Sequence, residues 1–197
     1  LMRGSFLDIV QEEMSQGPKR KEARSSLHAY STQVLGMQNK WFHDKIYTML
    51  TEEKRALILL PRGFGKSTCG CSIYPSWALG RDPNVRIIIA SNTFALAKMY
   101  LRQIEQILSL PSYIEIFGNI MPDPRSSTWT DVEKIVVRSK MMPDASLLAI
   151  GVGAATINRR GDILILDDVV TPKNSSSPIQ REALRTWFWQ AMYPVLE

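Results

Sequence analysis

Residues 59–68 read Leu59-Leu60-Pro61-Arg62-Gly63-Phe64-Gly65-Lys66-Ser67-Thr68, an apolar run that breaks at proline into a glycine loop. The preceding Ala56–Leu60 has the length and apolar character of a buried strand closed by Pro61. Gly63–Lys66 forms the loop, and Ser67 to Leu79 reads as a helix. A strand, a glycine loop and a helix in that order predict an anion site. The first amides of a helix have no internal partner and sit at the positive end of its dipole. Glycines permit the φ > 0 conformations that turn successive N–H groups inward. Lys66 would then reach the β- and γ-phosphates of a nucleotide, and the Ser67 hydroxyl would coordinate Mg²⁺. The pattern G-x-x-x-x-G-K-[ST] calls for a glycine where Leu60 stands, so three of its four fixed positions match. The competing reading is a chance G-K-S in a turn.

The second informative stretch is Ile163-Leu164-Ile165-Leu166-Asp167-Asp168, a buried-type strand ending in two carboxylates, with Asp167 one hundred residues after Ser67. Asp167 is placed to hold Mg²⁺. Asp168, one residue on, points elsewhere and is the candidate to orient or deprotonate an attacking water. Acids also follow strands as helix caps, so the pair carries weight through its spacing from the glycine loop.

Between these stretches, Val85–Ala90 is β-branched and strand-sized, which predicts burial on both faces. Ser91-Asn92-Thr93 supplies capping chemistry for a helix on which Ala97, Leu101, Ile104 and Leu108 share one face. Lys134–Val137 and Leu147–Ile150 are further strand candidates, separated by a turn around Pro143-Asp144. Pro178 to Leu196 reads as helical, with Trp187, Phe188, Trp189, Met192 and Tyr193 expected to pack on the sheet. Strands alternating with helices predict an α/β fold with a mostly parallel central sheet covered on both faces. Ligands bind such sheets at the carboxyl ends of the strands, where both motifs fall.

Composition sets outer bounds. The chain has 197 residues, 45% hydrophobic and 22% charged, as expected for one globular domain. No apolar run approaches the ~20 residues of a membrane helix, and the N-terminus does not read as a signal peptide. Net charge is +5 and the sequence pI about 9.3, in keeping with a polyanionic partner. Part of the surplus lies in Lys19–Arg24, read as a solvated connector or a DNA contact, after a short N-terminal helix within residues 1–26. Cys69 and Cys71 are too few for zinc and are expected as small buried thiols.

The wording of the two motifs is more specific than a generic phosphate loop. Pro61-Arg62-Gly63-Phe64-Gly65-Lys66-Ser67-Thr68, with arginine inside the loop, resembles the variant Walker A motif of phage large terminase subunits. So does the run from Asn158-Arg159-Arg160-Gly161-Asp162 through Asp167-Asp168, followed by a helix carrying Arg185 and Trp187-Phe188. The likeness spans roughly Gln38 to Leu196. It implies a P-loop NTPase fold of the additional-strand (RecA-like) type, with residues 27–197 as the ATPase domain. It implies ATP and Mg²⁺ held by Pro61–Thr68, with Ser67 and Asp167 at the metal, Lys66 at the phosphates and Asp168 as catalytic carboxylate. Arg62 would sense the γ-phosphate, and Arg159 or Arg160 falls where an arginine finger would be offered to a ring neighbour. His43, in Trp41-Phe42-His43, falls at the adenine element; packing or capping is its equal alternative. The implied setting is the host cytoplasm. The implied partners are double-stranded DNA, a homo-oligomeric ring on the portal and a small terminase subunit. The coupling motif and nuclease domain of terminases are expected beyond Glu197. A helicase-like ATPase and a non-catalytic nucleotide-binding module are the rival readings. A dinucleotide fingerprint at Gly151-Val152-Gly153 lacks its third glycine.

Overall fold

Three consecutive isoleucines place the middle of the sheet at β1 (Ile87–Ser91), every residue of which is buried. The computed structural model describes residue 17 and residues 20–123, 125, 127–154 and 159–196. The helix expected near the N-terminus lies largely outside the described residues, as do Lys19, Asn158 and Glu197. Helices α1 (Leu27–Gln33) and α2 (Trp41–Glu52) precede the glycine loop. A continuous helix, α3, follows it: Lys66–Thr68, a π-helical turn Cys69–Ile73, then Tyr74–Arg81. After β1 come α4 (Phe94–Leu108), α5 (Pro111–Phe117), β2 (Glu133–Lys134), β3 (Leu147–Gly151) and β4 (Ile163–Asp167). Short α6 (Pro172–Ser175) leads into α7 (Pro178–Trp187), which continues through a π turn and a 3₁₀ turn to Val195.

The four strands lie in the order β2-β3-β1-β4. β1 runs parallel to β3 and β4, while β2 is antiparallel to β3, so the sheet is mixed. Ser91 is in register with both Gly151 and Asp167, and the three parallel strands therefore end at one level. One face packs on α3 and α4 through Ile87, Ile89, Leu147 and Ala149. The other packs Ile88, Ala90, Leu148 and Ile150 on Trp187, Met192 and Val195. The α4 stripe is fully buried at Ala97, Leu101, Ile104 and Leu108, and each Leu or Ile there contributes about 1.5–3 kcal/mol. At the opposite end of the strands, the Arg86 guanidinium forks onto Asp162 at 2.8 and 3.1 Å and reaches Asp144 at 3.6 Å. That clamp ties together the amino ends of β1 and β4 and the approach to β3.

Several expectations are corrected. Ala56–Leu60 is not a strand; among the described residues it pairs with no neighbour, and Leu57 and Leu59 are 77% and 79% exposed. An apolar run becomes a strand only with a partner about 4.8 Å away. Here a cleft of about 1240 Å³ separates it from the open edge of β4. Arg20–Arg24 keeps its charged side chains exposed, as a solvated segment would, but is not an irregular connector. It is helical, Ala23 is fully buried, and its carbonyl accepts Trp77 Nε1–H at 3.0 Å. Arg24 donates to the Ile116 carbonyl at 2.6 and 2.9 Å, satisfying an orphan acceptor at the end of α5. In the tail, Trp187 and Met192 pack on the sheet, but Trp189 is 54% exposed. Its ring lies 5.1 Å from that of Tyr193 at a tilt of 56°, and the Tyr193 hydroxyl accepts from Arg55 at 2.9 Å. The strand expected at Lys134–Val137 is shortened to Glu133–Lys134. Cys69 and Cys71 are buried free thiols.

Candidate functional site

The glycine loop bends through two left-handed residues, Gly63 at φ +85° and Gly65 at φ +70°. Gly65 caps α3, and the first helical bond runs from Cys69 N–H to its carbonyl at 2.8 Å. The amides of Lys66, Ser67 and Thr68 therefore point out of the helix without an internal acceptor. The loop is braced from behind by the start of α2. Phe42 lies 4.7 Å from Phe64, centroid to centroid. His43 is buried; its Nδ1 accepts the Lys40 amide at 3.0 Å, which assigns the proton to Nε2. A Cβ built on Gly65 would lie 3.3 Å from that Nε2, so the ring backs directly onto the loop. His43 thus caps α2 and packs against Gly65, while neighbouring Trp41 is 68% exposed.

Across the sheet's carboxyl edge, the Ser67 hydroxyl donates to Asp167 Oδ1 at 2.8 Å. Asp167 Oδ2 accepts from the Tyr100 phenol at 2.6 Å. Asp167 is buried, held at the end of β4 level with Ser91. Ser91 is fully buried, and its Oγ has no hydrogen-bond partner among the described residues. Burial pushes the Tyr100 phenol up, reinforced by its bond to Asp167, so it stays a donor. Burial likewise pushes the Cys71 thiol up, with Asp167 and Asp168 adding to the effect. Asp168 is exposed and is the non-glycine residue of the described chain with positive φ, +48°. Such a conformation costs of order 1–3 kcal/mol and concentrates at functional sites. The turn beyond it is organised by Asn174, which accepts from the Thr171 amide at 2.8 Å and donates to the Val169 carbonyl at 2.8 Å. Asn174 also reaches Asn92 at 3.4 Å, joining the loops that leave β4 and β1.

The structure brings Ser67, Lys66, Asp167 and Asp168 to one cleft edge and leaves the two finger candidates elsewhere. Lys66 is half-buried and lines the cleft, and its ammonium has no hydrogen-bond or ion-pair partner among the described residues. Pro61, Arg62, Gly63 and Thr68 are exposed, and Phe64 and Gly65 half-buried. Arg159 pairs with Glu133 at 3.2 Å, and the Arg160 amide donates to Asp144 at 3.1 Å. Both precede β4 at its amino end, roughly 16 Å of strand from Asp167.

Chemically, a hydroxyl and a carboxylate side by side form an oxygen pair suited to a hard divalent cation. Among the described residues no cluster of three or more His, Cys, Asp or Glu could hold a metal by itself. Sequence reasoning missed Tyr100, three residues after Ala97 on the buried stripe of α4. Its signal is a polar-tipped aromatic within an otherwise apolar face, one turn and a half from the helix start at the carboxyl edge. Ser91, expected among the capping residues, instead ends β1 while Thr93 caps the helix, and Asn174 was not singled out.

No family model matches the chain. Over 137 residues it is 30% identical to the large terminase subunit of Enterobacteria phage T3, an alignment covering 68% of this chain. The match takes in 22% of the length of that relative. The likeness supports a terminase-like relationship. Among the described residues no helix is long and apolar enough to cross a membrane.

Proposed function

We propose that the chain is the ATP-hydrolysing motor part of a phage large terminase subunit, driving double-stranded DNA into a procapsid. The observation that carries this reading is the 2.8 Å contact between Ser67 Oγ and Asp167 Oδ1, which joins the glycine loop to the acidic strand end. The amides of Gly63–Ser67 and the Lys66 ammonium would bind the β- and γ-phosphates of ATP. Ser67 and Asp167 would hold Mg²⁺, which when bound neutralises charge on the phosphate oxygens. Asp168, exposed at the mouth of the cleft, would orient the attacking water and accept its proton. The exposed Arg62 would reach the γ-phosphate, and His43 would back the loop close to the base. Catalysis would come from positioning and charge stabilisation.

The fold in this reading is a P-loop NTPase of the additional-strand type. The open edge of β4 and the apolar run at 56–60 face each other across the cleft, and a strand inserted between them would pair with both. Arg159 or Arg160 would act on a neighbour in a ring seated on the portal, with a small terminase subunit delivering DNA in the host cytoplasm.

The test is ATP hydrolysis by the full-length protein with Lys66→Ala and Asp167→Ala alongside. Both substitutions are expected to lower turnover by a factor of at least about 10², the scale of losing a transition-state electrostatic contact. Equal rates in all three proteins would overturn the enzymatic reading and favour a nucleotide-binding module without catalysis.

A further inference from the structure

We infer that Tyr100 is the positioning residue of the cation site: it pins one oxygen of Asp167 and so presents the other to Ser67 and the metal. The inference rests on the nucleotide-hydrolysis reading above and adds to it a residue from α4. Asp167 has two acceptors, and the structure gives each one donor, Ser67 at 2.8 Å and Tyr100 at 2.6 Å. The terminal torsion of an aspartate is soft and nearly two-fold, so the carboxylate plane needs an external partner to fix it. Ser67 holds only one of the two oxygens, and its own orientation is shared with the cation it would ligate through a lone pair. Tyr100 holds the other oxygen from a separate helix.

Tyr100 is 5% exposed and stands on the α4 face where Ala97, Leu101 and Ile104 are fully buried, so packing sets its direction. At that burial, water has little access to replace the phenol. The choice of donor also matters. A lysine or arginine would orient Asp167 but cancel the charge that attracts a cation, whereas a phenol orients it and leaves the charge intact. The nearby cations of α4 are committed elsewhere: Lys98 and Arg102 both pair with Asp131, at 3.2 and 2.8 Å. Among the described residues, Asp167 has no cationic hydrogen-bond or ion-pair partner.

The experiment is a Mn²⁺ titration followed by electron paramagnetic resonance, in the presence of ATP, on the wild type, Tyr100→Phe, Asp167→Asn and the double variant. Removing one hydrogen bond to a charged group should weaken Mn²⁺ binding about tenfold in Tyr100→Phe. ATP binding in EDTA should be unchanged, which separates a role at the cation from a general loss of structure that would weaken binding with and without metal. The double variant should bind no more weakly than Asp167→Asn alone. If Asp167→Asn loses Mn²⁺ while Tyr100→Phe binds like the wild type, the role of Tyr100 is overturned and the site reading survives. Equal losses with and without metal in Tyr100→Phe would also overturn it. If the wild type takes up no Mn²⁺·ATP, or Asp167→Asn matches it, the site reading itself fails. Should Tyr100→Phe not fold, Tyr100→Gln is set against Tyr100→Leu, a donor against a non-donor of similar size. Equal Mn²⁺ affinity in those two would overturn the inference.

Discussion

Gly65→Ala tests whether the loop is shaped by its backbone and by the histidine behind it. The residue sits at φ +70°, where an L side chain costs about 1–2 kcal/mol. Its new Cβ would also lie 3.3 Å from His43 Nε2. That ring cannot simply withdraw, because Nδ1 holds the Lys40 amide and Phe42 lies 4.3 Å from it. The contact should add up to about 1 kcal/mol, at the low end for an overpacked methyl. Gly63 supplies the internal comparison: its φ is +85°, but a Cβ there meets nothing within 4 Å. Gly63→Ala should therefore cost the backbone term alone, about 1–2 kcal/mol, and Gly65→Ala about 2–3 kcal/mol. Urea unfolding at constant m-value measures both. In a His43→Ala background the gap between the two should close, since only the contact is removed. Equal costs in the wild-type background, or a gap that persists without His43, would refute the reasoning.

Two further substitutions have signs set by the structure. Gly80→Ala lies inside α3, where alanine normally stabilises by about 1 kcal/mol. Here the Cβ would fall 2.6 Å from the Phe117 ring, so thermal unfolding should show destabilisation instead. Arg86→Met should destabilise by about 2–3 kcal/mol in urea, because it leaves Asp144 and Asp162 without their shared cation. The Arg86 guanidinium beside Asp162 holds that carboxyl below its ordinary value. Its contribution is thus full above about pH 4 and fades as the pH falls through the lowered value. Melting points measured from pH 6 to pH 3 should drop less steeply in Arg86→Met than in the wild type.

The parts of the fold legible in the sequence are those fixed by local chemistry. Ile87–Ile89 could be read as a buried strand because β-branched runs have few other stable fates, and Ile163–Leu166 could be read as a strand, although at the open edge of the sheet its four apolar residues are half-buried rather than buried. The α4 stripe followed from helical spacing, and Thr93 caps that helix through a bond from the Leu96 amide at 3.3 Å. The loop conformation followed from Gly63 and Gly65. Pairing was not legible at Ala56–Leu60, since strand character there depends on a neighbour that no local pattern specifies. Nor was the fate of Arg24 legible: a basic run resembles a solvated segment until the carbonyl end of α5 is known to lie beneath it. Within the candidate site, Ser67 and Asp167 were evident from their motifs. Tyr100 was hidden because its spacing marks it as core and only the three-dimensional contact shows its hydroxyl turned to a carboxylate.

The central claim is that Ser67 and Asp167 converge on a single metal–triphosphate. It is tested most directly by a crystal structure grown with Mg²⁺ and a non-hydrolysable ATP analogue. The expected result is a metal about 2.1 Å from Ser67 Oγ, with Asp167 bound directly or through one water and the triphosphate over the Gly63–Ser67 amides. A nucleotide seated elsewhere, with no metal beside Ser67 and Asp167, would contradict it.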